Sequence, residues 1–95
     1  MKKFVFLSYG FKTPTPEVMV AWGKWFGSIK GNTVEMIGLG NGREISNAGT
    51  KDLPLGLESI TGIVIVKAES LDEAEKIARS NPYIASIRVY EVREH

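Results

Sequence analysis

"SITGIVIVKAESLDEAEKIARSNPYIASIRVYEV", residues 59–92, reads as strand, helix and strand, and it decides the class of the fold. Residues 59–68 are rich in β-branched side chains and form a strand. Ser70 and Glu73 then stand three apart, the spacing of a capping box, and open a helix over 70–82. Leu71, Ala74, Ile77 and Ala78 recur at threes and fours and face inward. Asp72, Glu73 and Glu75 precede Lys76 and Arg79, an order that suits the helix dipole and one-turn ion pairs. Asn81 and Pro82 stop the helix, and residues 84–92 form the last strand.

Working back toward the start, "KFVFLSYG" (3–10) is a strand that ends at a glycine. In "FKTPTP" Thr15 is the expected N-cap, Pro16 takes the first helical position and Glu17 meets the positive end of the dipole. This helix is expected from Pro16 to about Lys30, with Gly31 and Asn32 offering a left-handed stop. Val18, Met19, Trp22, Trp25, Phe26 and Ile29 make one broad apolar stripe, and Gly23 and Gly27 lie on its flank. "TVEMIGLG" (33–40) reads as a weaker strand. "NGREIS" is a turn with a short continuation, since Asn-Gly signals a hairpin. Residues 47–59 have no period and are expected as a long loop. "GLGNG" (38–42) is turn chemistry and not a dinucleotide fingerprint, because it opens no helix.

The order β-α-β-β-α-β, with one β segment split, predicts a single α+β domain over 1–95, a ferredoxin-like sandwich with both helices on one face of an antiparallel sheet. The other face should then meet water and alternate polar with apolar. It does not. Phe4 and Phe6 point one way and Val5, Leu7 and Tyr9 the other, and Ile63 and Ile65 oppose Val64 and Val66. A monomer avoids exposing so large an apolar face. A symmetric homodimer packed through the sheet faces is the simplest cover, and the long loop folded over the face is the alternative.

Composition narrows the partners. Of the 95 residues, 43% are hydrophobic and 24% charged, the net charge is +1 and no run of Lys and Arg occurs, so neither nucleic acid nor a membrane surface is expected. There is no cysteine, which removes disulfide and thiolate chemistry, and the single histidine is His95. No metal site and no cofactor are expected. The opening residues lack the long apolar region of a signal peptide and no stretch could span a bilayer, so the protein is expected in the cytoplasm.

"FVFLSYG", "MVAWGKWFGSI", "SITGIVIVKAESLDEAEKIARSNPYIAS" and the closing "VYEV" resemble the YCII-related (DGPF-type) family over nearly the whole chain. That resemblance implies a dimeric α+β barrel. Some members carry a His near the start of the first helix and an Asp after it, proposed as a catalytic pair. Here Val20, Ala21 and Trp22 occupy that region, and "TKDLPLG" (50–56) stands where the DGPF tetrapeptide belongs, so a His/Asp mechanism is not carried over. The fold's relatives span several reactions, and fold alone does not choose among them.

The candidate ligand-binding residues are Ser8, Tyr9, Trp22, Trp25, Tyr83, Arg88 and Tyr90; none is assigned a catalytic role. Trp22, Trp25 and Phe26 read first as core and second as the wall of a pocket between the first helix and the sheet. Ser8 interrupts an apolar strand. Arg88 and Tyr90 share one face of the last strand and offer a planar cationic fork and a phenolic proton donor. Tyr83 is a loop aromatic or the lip of a pocket. Two functions stand open: binding of a small acidic or aromatic metabolite between the first helix and the sheet, with cofactor-independent chemistry within its scope, or a non-catalytic dimeric structural or protein-interaction module.

Overall fold

The computed structural model describes residues 1–13 and 15–93; Pro14 and the lone imidazole, His95, lie outside them. The elements run β1 (Lys2–Tyr9), α1 (Pro16–Ile29), β2 (Thr33–Gly38), β3 (Gly42–Ser46), β4 (Gly49–Leu53), β5 (Ile60–Ala68), α2 (Leu71–Arg79) and β6 (Ser86–Glu91). Four strands form an antiparallel sheet in the order β2-β5-β1-β6, the ferredoxin-like arrangement. β3 and β4 form a separate two-stranded ribbon inserted between β2 and β5.

Side-chain alternation divides the sheet. Phe4 and Phe6 on β1 and Val64, Val66 and Ala68 on β5 point to the helices and are buried with Trp25, Ile29, Ala74 and Ala78. Val5, Leu7 and Tyr9 point away, beside Ile63 and Ile65 across the β1–β5 ladder. The shortest dimension of the chain is 18 Å, room for one sheet and one helix layer. Among the described residues the far face therefore carries no second layer, and Ile37 and Tyr90 on it are exposed.

Both helices start as their sequences dictate. The Thr15 side chain accepts from the Val18 N–H at 3.2 Å, and that of Ser70 accepts from the Glu73 N–H at 3.2 Å. Their ends depart from expectation. No left-handed residue closes α1; among the described residues only Gly10 and Gly49 have positive φ. Instead the Asn32 N–H and the Thr33 hydroxyl both bond to the Ile29 carbonyl, at 2.9 and 2.8 Å. α2 stops at Arg79 with Ser80 as its cap, earlier than Pro82 requires. Leu71 is 53% exposed and Met19 63% exposed, although both lay on expected inward stripes. Met19 follows Val18 by roughly 100° of helical turn and sits at the stripe's margin.

The segment expected as a loop over 47–59 holds β4. The hairpin turn falls at Asn47-Ala48, with Gly49 at φ +119°, and not at Asn41-Gly42. Asn41 instead ties the base of the hairpin, where its side-chain carbonyl accepts from the Leu55 N–H at 3.1 Å. All ten residues of β3 and β4 are exposed, so this segment does not fold over the sheet's open face.

Candidate functional site

The expected site residues fall on opposite sides of the sheet. Ser8, Trp22 and Trp25 lie on the helix side. Trp25 is 3% exposed and fills the space between α1 and the sheet instead of walling a pocket there. Its ring stands 6.4 Å from Phe6, 6.0 Å from Trp22 and 5.2 Å from Phe26, the last two edge-on. The indole N–H donates to the Ser80 hydroxyl at 2.9 Å and to the Ile77 carbonyl at 3.2 Å. Trp25 thus fastens α1 to the last turn of α2, where carbonyls lack helical partners. Ser8 is buried opposite Gly62 and Ile87.

Tyr9, Arg88 and Tyr90 come together on the open face. In the β1–β6 ladder Arg88 faces Leu7 and Tyr90 faces Val5, so Arg88 lies diagonally from Tyr9. Its guanidinium carbon stands 4.8 Å from the centre of the Tyr9 ring, a cation–π contact. Tyr9 also walls a cavity of about 920 Å³ between the end of the sheet and the base of the hairpin, with Leu39, Leu53, Leu55, Leu57 and Ile60. That volume lies in the range of small-molecule sites, roughly 300–1,000 Å³. Arg43 and Asp52 on its hairpin side form an exposed ion pair at 3.3 Å.

Tyr83 is apart from both groups. It is exposed after α2 and lines a groove of about 290 Å³ with Arg79 and Ile87. The cavity's leucines escaped sequence reading because Pro54 and Gly56 punctuate them. Leu53, Leu55 and Leu57 nevertheless alternate, and that alternation was the available signal. Among the described residues no cluster of three or more His, Asp or Glu could hold a metal ion, and no helix is long and apolar enough to cross a membrane.

The sequence matches the YCII-related domain over residues 17–95. The chain belongs to that family. No curated protein matches the sequence significantly. In structure the chain is similar to 5-chloro-2-hydroxyhydroquinone dehydrochlorinase of Burkholderia phenoliruptrix, solved in complex with 2,5-dihydroxybenzoquinone, at a TM-score of 0.54 and 16% identity, over 98% of this chain and 95% of that one. It is also similar to 30S ribosomal protein S6 of Thermotoga maritima, at a TM-score of 0.50 and 12% identity, over 96% of this chain and 87% of that one. An enzyme and a ribosomal protein share this architecture, so the likeness concerns the fold and leaves function to the site.

Proposed function

We propose that this YCII-related protein is a homodimer, packed through the open sheet faces, that binds a small acidic or aromatic metabolite in the cavity beside Tyr9. The ligand then lies on the side of the sheet away from α1, because Trp25 leaves no room on the α1 side. One observation carries it: Arg88 stacks on the very ring that walls the cavity. A guanidinium held on an aromatic face presents its N–H fork to a carboxylate or an acidic hydroxyl. The leucine-rich wall suits a planar apolar body. The hydroxyquinone bound by the dehydrochlorinase has this combination of ring and acidic oxygens. Chemistry without a cofactor would use the Tyr9 hydroxyl as proton donor, since Tyr90, opposite Val5, stands outside the cavity's lining. The cysteine-free composition accords with a cytoplasmic protein.

The dimer rests on area. The chain exposes 6949 Å², whereas a folded monomer of 10.5 kDa exposes roughly 5,400 Å² by surface–mass scaling. The excess, about 1,500 Å² per chain, is what a large homodimer interface covers. The same apolar face favours the second reading, a non-catalytic dimeric module, and ligand binding decides between the two.

Calorimetric titration with 2,5-dihydroxybenzoquinone, benzoate and uncharged phenol tests the site. The acidic ligands should saturate, and Arg88→Ala should weaken them about tenfold or more, the value of a charge-assisted hydrogen bond. No binding by any ligand, or equal affinity in Arg88→Ala, rejects the site. A mass of 10.5 kDa by light scattering rejects the dimer.

A further inference from the structure

Among the described residues the β3–β4 hairpin is tied to the body at its base, where Asn41 holds Leu55, and packs on nothing along its strands. Every residue of both strands is exposed, and Ile45 is 82% exposed. An isolated two-stranded hairpin is marginal in water. The radius of gyration is 14.4 Å, where a compact chain of this length has about 12 Å, so the hairpin stands out from the body. An apolar side chain on a projecting ribbon needs a surface to cover it.

The cavity beside Tyr9 needs a wall. The hairpin's base closes one side of it. Tyr9 and Ile60, opposite each other in the β1–β5 ladder, put its mouth at the edge of the open sheet face. Whatever covers that face stands over the mouth.

We infer that the hairpin is a dimer arm: it seats on a second copy of this chain with Ile45 as its anchor, and the cavity beside Tyr9 is complete only in that pair. This rests on the dimer and site proposed above and adds where the second copy holds on. A second copy fits for three reasons. The excess surface of about 1,500 Å² per chain matches a homodimer interface larger than the usual size. The hairpin's charges cancel within it, Arg43 opposite Asp52 and Glu44 opposite Lys51, so it meets an identical arm or face without net repulsion. A two-fold axis places each arm on the other copy and leaves no arm unpaired, so assembly closes at two.

The test uses the full chain and Ile45→Asp. At an exposed position in a monomer this change leaves the fold intact, which circular dichroism checks. Sedimentation should show Ile45→Asp dimerising at least about tenfold more weakly, with a parallel loss of affinity for 2,5-dihydroxybenzoquinone. In the wild-type dimer, hydrogen exchange should find the amides of 43–53 protected beyond a free hairpin, and Ile45→Asp should release them. A wild-type dimer with freely exchanging hairpin amides, or an Ile45→Asp chain that dimerises as well as wild type, overturns the arm and leaves the sheet-face dimer standing. A monomeric wild type overturns both.

Discussion

Replacing Trp25 with phenylalanine separates a structural tryptophan from a ligand-binding one. The indole N–H is lost, and with it the bonds to the Ser80 hydroxyl and the Ile77 carbonyl. The carbonyl is not orphaned, because the Ser80 hydroxyl still donates to it at 2.7 Å. The loss is therefore that of one net hydrogen bond, about 1 kcal/mol. The smaller ring also leaves a void larger than a methyl group among Phe6, Trp22 and Phe26, which costs about 1 kcal/mol more. Together these lower stability by about 2 kcal/mol, or Tm by roughly 8–16 °C in a domain of this size. Thermal unfolding at one fixed protein concentration measures it, since association would shift Tm. Binding of 2,5-dihydroxybenzoquinone well below Tm should be unchanged. A Tm within about 3 °C of wild type together with lost binding would overturn the structural role and return the ligand to the α1 side of the sheet.

Four further substitutions probe the fold. Gly10 has φ +102°, and a Cβ there would stand 2.9 Å from the Ala85 Cβ. Gly10→Ala should cost about 1–3 kcal/mol from the backbone alone, read by urea denaturation, and an unchanged midpoint would contradict the conformation. A Cβ at Gly23 or Gly27 meets nothing within 4 Å among the described residues of one chain. Gly23→Ala and Gly27→Ala should each raise stability by about 0.5–1 kcal/mol, and a loss of stability or of dimer would mean that another chain packs there. Asn81 is 4% exposed, and among the described residues neither polar atom of its side chain has a partner. Asn81→Leu should leave the unfolding free energy equal or higher, and a fall of more than about 1 kcal/mol would show that the amide is satisfied in solution.

Much of the fold was legible because its signals are local. Ser70 and Thr15 cap where their side chains suit a cap, and Pro16 sits in the first turn. The two-sided apolar character of 4–9 and 63–66 announced a sheet with one face open. The hairpin was not legible, because its turn uses Asn47-Ala48 followed by a glycine at positive φ while a stronger turn signal, Asn41-Gly42, stands six residues earlier. The candidate site was half legible. Strand parity places Arg88 and Tyr90 together, and the β1–β6 register, a non-local property, brings Tyr9 beside them. Joining these residues to Trp22 and Trp25 failed for the same reason: a sequence supplies aromatics and cations without saying which face of the sheet each one takes.

The proposed working surface is the open face of the sheet, and backbone and indole NMR shifts during titration with 2,5-dihydroxybenzoquinone probe it without intermediaries. Saturable shifts are expected at Tyr9, Ile60 and Arg88 and in residues 53–57, with the indole N–H resonances of Trp22 and Trp25 unmoved. Shifts led by those two indoles, with Tyr9 and Arg88 silent, would place the ligand on the helix side and contradict the proposal.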